Sequence, residues 1–430
     1  MSRLSERLRA IIVPSGAPAK PSPAGVGSAG PVGSTDAVES ADLVGSAFRR
    51  TVPVPDLEAA LGGAWTEQQG IRCFVVGRRY DAAQIYGRER VGAFATTIAE
   101  CQADASLVTR GRTPTTPFVF FDLETTGLSG GAGTYAFLVG CGWFDGDDFL
   151  TRQFVMTRIA EERAVLTTVA ARLAEAGALV SFNGKSFDAP VLETRYLYHR
   201  LPWVGEGAAH VDVLHPARRF WPGDDCSLIA LERKVLGAAR SGDVPGAEIP
   251  ERYFQYLRSG DARPLEAVLE HNRLDLLSLA GLTARLLHLI RSGPSRAADA
   301  HESHALGRTY ERAGLDDRAL EAYERAASMA VSGAVRIETQ RSLAAAYRRL
   351  RRFDDAAGCW RAILGVRGCP RHIAREANEA LAIHHEHRVR DLASARAFTL
   401  QLDPALHHGA RHRLARIERK LGARDAPLIE

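Results

Sequence analysis

Four carboxylates and one imidazole have the residue types and spacing for chemistry. In Phe120-Phe121-Asp122-Leu123-Glu124-Thr125-Thr126-Gly127, two acids stand two residues apart at the end of an apolar run. On a strand, residues i and i+2 share a face, so Asp122 and Glu124 leave the same end together while Leu123 points the other way. Like charges this close repel unless a cation neutralises them, and hard oxygen donors select Mg²⁺ or Mn²⁺. A solvated acidic turn would use the same two residues, so the pair alone decides nothing. Asn183-Gly184-Lys185-Ser186-Phe187-Asp188 follows a second apolar run, which puts Asp188 where a strand hands over to a helix. Open α/β sheets collect ligands there, although a helix N-cap also explains an Asp. In Glu270-His271-Asn272-Arg273-Leu274-Asp275, which opens a long apolar helix, His271 and Asp275 are i and i+4 and share one face. One helix thus presents a titratable imidazole beside a possible metal-ligating carboxylate.

The elements that must position these groups follow from apolar periodicity. Phe118 to Phe121 reads as a compact strand, and Tyr135 to Phe144 with Asp148 to Met156 as a hairpin turning at Asp145 and Gly146. A helix over 160 to 176, a strand over Ala178 to Phe182, a helix over Phe187 to His199 and a short strand over Val211 to Leu214 come next. A hairpin followed by βαβ units predicts an α/β mixed sheet with helices on both faces, over 117–293. Residues 1–45, rich in Gly, Pro, Ala and Ser, read as a disordered tail. Residues 46–116 read as a short mixed region packing on that domain, with a strand at Arg72 to Val76 and a helix near Arg88 to Ala103.

Beyond Gly293 and Pro294 the pattern is helical and repeats itself. Leu306, Gly307, Tyr310, Ala319 and Tyr323 recur 37 residues later as Leu343, Ala344, Tyr347, Ala356 and Trp360. That pattern resembles the tetratricopeptide repeat, in which small residues let paired helices approach and aromatics fill between them. The three residues beyond the usual period fall in the Ser332 to Gly333 loop, and a third, blurred unit carries Ala382, Ala395 and Phe398. An all-α helical-repeat domain is thus predicted over 296–424.

Taken in order, FFDLETTGL, NGKSFD and HNRLD resemble the DEDD superfamily of 3′→5′ exonucleases, whose fold is ribonuclease H-like. The text VDVLHPARRFWPGDDCSLIALE and DVPGAEIPERYFQYL is similar, more narrowly, to the YprB-type ribonuclease H-like family, which also appends tetratricopeptide-like helices. The resemblance implies a two-metal phosphodiesterase using two Mg²⁺ or Mn²⁺ ions at the 3′ end of DNA or RNA, in nucleic-acid repair or processing. It makes Asp122 the bridging ligand, Glu124 and Asp275 the remaining ligands of one ion, and Asp188 a ligand of the other through water. His271 would accept or orient the water proton. The superfamily's histidine branch places His five residues before the last Asp, and its tyrosine branch places Tyr four before. Here His271 fills the four-residue slot and Glu270 the five-residue one.

Composition narrows the setting. No apolar run approaches a membrane span, and no secretion signal is read after the amphipathic opening. Six cysteines without a CxxC pair suggest neither disulfides nor thiolate zinc, which makes the cytoplasm the natural compartment. Only four of 55 basic residues are Lys; arginine suits phosphate, but a GC-rich genome gives the same bias. Other candidates have plainer readings. Ser129 to Thr134 is Gly-rich but lacks a phosphate-loop Lys, and Asp212 reads as a cap. The arginines 348, 349, 351 and 352 form a solvated turn or a phosphate-tracking patch, and seven histidines beyond 371 read as solvated. Two rival classes stay open: a non-catalytic nucleic-acid-binding or scaffold protein whose repeats recruit a protein partner, and an endonuclease of the ribonuclease H or resolvase kind.

Overall fold

A computed structural model describes residues 56–68, 70–109, 112–127, 133–330 and 333–425. The stretch read as a disordered tail, most of the Gly-rich run after Gly127 and Ser332 lie outside the described residues.

One mixed sheet organises the first two thirds. Its strands are β1 (Ala64–Gln68), β2 (Ile71–Tyr80), β5 (Phe118–Thr125), β6 (Ala136–Asp145), β7 (Asp148–Val155), β8 (Ala178–Ser181) and β9 (His210–Asp212), and a separate small hairpin holds β3 (Ile85–Tyr86) and β4 (Glu89–Arg90). The order is β1-β2-β7-β6-β5-β8-β9. The pairs from β1 to β5 run antiparallel, whereas β5–β8 and β8–β9 run parallel. Gly146, at φ +59, begins the two-residue loop between β6 and β7, where a II′ hairpin needs a left-handed residue. The strand read at Arg72 to Val76 extends to Tyr80 and belongs to this sheet.

The helices among and just after these strands are α1 (Leu57–Leu61), α2 (Val91–Cys101), α3 (Glu162–Ala174), α4 (Asp188–Tyr198), α5 (Leu214–Phe220), α6 (Leu228–Leu231), α7 (Ile249–Ser259) and α8 (Arg263–Ser292). Strand β5 explains why both faces are covered. Its Phe118 and Phe120 join Val91 and Phe94 of α2, Phe220 of α5 and the second half of α8 in one core. Val119, Phe121 and Leu123 point the other way, into a core with Val165 of α3, Leu192 of α4, Tyr253 of α7 and the first half of α8. A strand buried on both faces has to be apolar throughout, as Phe118 to Phe121 is.

Seven helices follow: α9 (Ala300–Arg312), α10 (Asp316–Met329), α11 (Gly333–Arg349), α12 (Phe353–Leu364), α13 (Arg371–His384), α14 (Leu392–Leu400) and α15 (His408–Asp425). The repeated positions are buried in both units: Leu306, Tyr310, Ala319 and Tyr323, then Leu343, Tyr347, Ala356 and Trp360. Gly307 shows why a small residue is needed, since a Cβ there would lie 2.5 Å from the Tyr323 ring. The first core runs on from α8 into α9 to α13, and Trp221 Nε1 donates to Glu302 across the junction at 2.8 Å.

Candidate active site

Asp122 and Glu124 stand near the carboxyl end of β5, whose register with β6 shifts between Glu124 and Thr125. One ladder rung aligns Asp122 with Gly140 of β6 and Gln153 of β7. Fully buried Asn272 of α8 lies over this rung. Its Nδ2 donates to Asp122 Oδ2 at 2.9 Å, and its Oδ1 accepts from Gln153 Nε2 at 2.9 Å. Gly140 makes room for it, because a Cβ there would sit 2.1 Å from Asn272 Oδ1. The long helix is thus keyed to the strand carrying the first acidic pair.

Asp188 is the first residue of α4 and is buried. Its loop is held by Asp212 at the end of β9, which accepts from the backbone N–H groups of Asn183 at 2.9 Å, Lys185 at 3.1 Å and Leu214 at 3.1 Å. The reading of Asp212 as a cap agrees with this. Gly184 is constrained too: a Cβ would lie 2.4 Å from Ser181 Oγ and 3.0 Å from Asp188 Oδ2. A cleft of about 700 Å³ opens beside the loop, with Phe182, Asn183, Leu214 and Arg218 in its walls.

On α8, His271 and Asp275 share a face as their spacing predicts, with His271 Nε2 3.5 Å from Asp275 Oδ2. Glu270, in the five-residue slot, points to solvent and pairs with Arg273. His271 is therefore the member of that pair that faces the acids. Its Nδ1 meets Asp243 Oδ1 at 2.7 Å. Arg240, almost fully buried, joins Asp275 Oδ1 at 2.6 Å, Glu232 Oε2 at 2.7 Å and Asp243 Oδ2 at 3.2 Å. Sequence reasoning passed over Arg240, Asp243, Asn272 and Gln153. Asn272 lies inside the HNRLD motif and Asp243 opens the DVPGAEIPERYFQYL stretch, but Arg240 and Gln153 carry no local pattern that marks them.

The electrostatics tie the four acids together. Burial, then the charges of Asp275, Glu124 and Asp188, push the Asp122 carboxyl well above the usual carboxylate range. Glu124 is raised by burial and by Asp275 and Asp188. Asp188 is pushed up to about 7 by burial and Asp212. Asp275 is also raised by burial, against the opposing pull of His271 and Arg240. Such a donor set, all hard oxygen and short of positive charge, suits a divalent cation in type and in sign. Among the described residues no group of three or more His, Cys, Asp or Glu side chains is gathered so that it could hold an ion as it stands. Arg240 already satisfies one oxygen of Asp275. The donors fit a cation, and Asp275 would exchange an ion pair for it.

A mixed sheet with antiparallel and then parallel strands around a central acidic strand is a ribonuclease H-like arrangement. Residues 119–287 match the model of RNase_H_2, a family of the RNase_H superfamily. The uncharacterized protein YprB of Bacillus subtilis (strain 168) is 31% identical over 245 residues, which is 56% of this chain and 58% of that relative. The match thus spans little over half of the relative's length. A family B DNA polymerase from the hyperthermophilic archaeon Pyrobaculum calidifontis aligns over 58% of this chain and 33% of its own, at 16% identity and a TM-score of 0.35. The resemblance drawn from the three acidic motifs holds at the level of the RNase_H superfamily and of YprB, and the fold class holds as a ribonuclease H-like mixed sheet followed by helices.

Proposed function

We propose that the protein is a divalent-metal-dependent 3′→5′ exonuclease acting on DNA or RNA. The observation that supports this is the hydrogen bond from Asn272 to Asp122, which ties the acidic end of β5 to the helix carrying His271 and Asp275, together with the mutual repulsion that raises the Asp122 and Glu124 carboxyls beside Asp188 and Asp275. Asp122, Glu124 and Asp188 would hold the cations, with Asp275 joining on release from Arg240. Bound Mg²⁺ or Mn²⁺ supplies the charge that acidifies the attacking water and stabilises the leaving 3′ oxygen. Asp243 accepts the Nδ1–H of His271, which fixes the tautomer and leaves Nε2 able to take a proton. The cleft beside Asn183 would receive the strand end, and its Arg218 suits a phosphate. We read the helix pairs from α9 onward as tetratricopeptide-type repeats that recruit a protein partner.

The second reading, a nucleic-acid-binding protein without turnover, draws on the Arg240–Asp275 ion pair. Incubation with 5′-labelled single-stranded DNA, duplex DNA and RNA in Mg²⁺ or Mn²⁺ separates the two. A ladder shortening from the 3′ end, absent in EDTA and in Asp122→Asn, is the expected result. Internal cuts would replace the exonuclease with an endonuclease, and intact substrates that are nonetheless bound would establish the second reading.

A further inference from the structure

Arg240 serves two carboxylates with one nitrogen. Its Nη2 lies 2.6 Å from Asp275 Oδ1 and 2.7 Å from Glu232 Oε2, so it is shared between an acid of the cluster and an acid outside it. Nε adds a second bond to Glu232 at 2.8 Å, and Nη1 reaches Asp243 Oδ2 at 3.2 Å. The Arg240 side chain is 3% exposed and that of Glu232 is 1% exposed, so water cannot stand in for either partner.

Glu232 is held in place from outside the acidic cluster. It opens a π-helical turn, Glu232–Leu236, a form frequent at functional sites. Fully buried Ser278 of α8 donates to its Oε2 at 2.6 Å. A serine has one hydroxyl hydrogen and a carboxylate only accepts, so the 2.6 Å contact between Tyr86 and Ser278 runs from the phenol to the serine. Tyr86 belongs to the small β3–β4 hairpin, which is seated on the same turn. Arg88 N donates to Leu236 O at 3.0 Å, and a Cβ on Gly87, at φ +64, would come within 2.2 Å of that oxygen. The region before the central strand thus reaches Arg240 through a directed chain of hydrogen bonds, from Tyr86 to Ser278 to Glu232.

This arrangement removes an obstacle to cation binding at the cluster. Taking one partner away from a buried ion pair is strongly unfavourable, because the other charge is stranded. An Arg240 paired with Asp275 alone would therefore resist the transfer of that carboxylate to a cation. With Glu232 and Asp243 on the same guanidinium, Asp275 can turn away while Arg240 keeps two carboxylates.

We propose that Glu232 is a positioning residue for the cation site: it takes over Arg240 Nη2 when Asp275 turns to a cation, and the Tyr86–Ser278 bonds hold it ready to do so. The proposal rests on the reading of the acidic cluster as a metal site, and it extends that site to residues that hold neither metal nor nucleic acid.

The test measures Mn²⁺ binding by the full chain, without nucleic acid, from the electron paramagnetic resonance signal of free Mn²⁺. Glu232→Gln keeps the size of the side chain and an acceptor for Ser278, but it leaves Arg240 to settle on Asp275. It should weaken Mn²⁺ binding by about 10- to 100-fold. Arg240→Gln removes the competitor and should tighten binding. In the Arg240→Gln background, Glu232→Gln should cost less than about twofold, because no arginine is left to hand over. A general effect of the lost charge would weaken binding equally in both backgrounds. That result, or Glu232→Gln binding Mn²⁺ like the wild type, would overturn the proposal. Should Glu232→Gln not fold, as read by circular dichroism, Glu232→Asp takes its place: it keeps the charge, draws the carboxylate back by one methylene, and should show the same weakening and the same dependence on Arg240. Nuclease turnover is read separately, and saturating Mn²⁺ should restore most of it in Glu232→Gln but none in Asp275→Asn. Variants that shift Mn²⁺ binding as stated in a chain that cleaves nothing would remove the nuclease reading and leave this one standing, whereas a wild type that binds no Mn²⁺ would remove both.

Discussion

Asn272 couples the acidic strand to the helix that brings His271 and Asp275, and its position depends on a glycine of the neighbouring strand against which it packs. Gly140→Ala would drive a methyl into Asn272 Oδ1, so it should cost roughly 1–3 kcal/mol and lower activity together, read by thermal melts and nuclease assay. Asp188 gives a sharper test, because its raised pKa has a definite sign. A carboxyl whose folded pKa lies above its unfolded value binds its proton more tightly when folded. Its stabilisation is fully present below the unfolded value near 3.8 and is lost as pH rises through about 7. Without divalent ions, Asp188→Asn should therefore melt like the wild type near pH 4 and higher than it at pH 8, while turnover falls by about 100-fold or more. Mg²⁺ or Mn²⁺ should raise the wild-type melting temperature at pH 8 and do little for the variant. A variant that is fully active, or less stable at both pH values, would remove Asp188 from the cluster. His271→Ala should cost about 10²- to 10⁴-fold in kcat if the imidazole moves a proton, and Asp243→Ala about 10- to 100-fold if it positions that ring. The four acids and the imidazole were legible in the sequence by motif resemblance: Asp122, Glu124 and Asp188 stand at strand or helix ends, whereas His271 and Asp275, read as opening a helix, lie inside α8, which begins at Arg263. Arg240 and Asp243 were not, since a loop arginine and a loop aspartate acquire meaning only when folding brings them to Asp275 and His271.

At the scale of elements, length and periodicity decided what could be read. Helix α8, about 45 Å long at 1.5 Å per residue, announces itself through its apolar face. The βαβ series likewise appears where its alternation predicts, within a few residues at each end. Strand β1 and the two-residue strands β3 and β4 are too short and polar for such a pattern, and pairing with neighbours makes them strands. The turn after α13 shows another limit. Its Glu386 is buried against Arg413, Arg416 and Lys420 of α15, and nothing local signals that contact across about 30 residues. Hydrogen bonds from Arg416, and then Lys420, overcome burial and hold that carboxyl at about 2. A depressed folded pKa gives stability that is present above the ordinary carboxylate value and is lost as pH falls toward 2. Glu386→Gln should accordingly lower the melting temperature at pH 7, and its difference from wild type should shrink between about pH 4.5 and pH 2. A constant difference across that range would mean that packing, not charge, attaches α15.

On the scale of the whole molecule, the boundary between sheet and helices is visible in the sequence as a change of texture at Gly293 and Pro294, yet the core ignores it. Leu286, Leu287, Leu289 and Ile290 of α8 share one buried cluster with Leu306, Tyr310 and Tyr323 beyond the boundary. Tyr310 donates to Ile290 O at 2.6 Å, and Glu302 accepts from Trp221 while also receiving the Ala298 N–H at 2.7 Å. Periodicity tells which face of each helix is buried but not against what, so two halves that read as separate units can share an interior. A chain truncated after residue 293 would expose the end of α8 and leave the Trp221 indole N–H without its acceptor. Each large apolar side chain exposed in this way forfeits roughly 1.5–3 kcal/mol, and losing several would consume much of a typical domain's net stability of 5–15 kcal/mol. The truncated chain should therefore aggregate or melt without cooperativity and show no nuclease activity, whereas Glu302→Gln in the full chain should keep the fold and lower its melting temperature modestly. Size-exclusion chromatography and circular dichroism melts decide the matter: a monodisperse fragment that unfolds cooperatively would show that the sheet domain holds its own core and that the helices are an appended module.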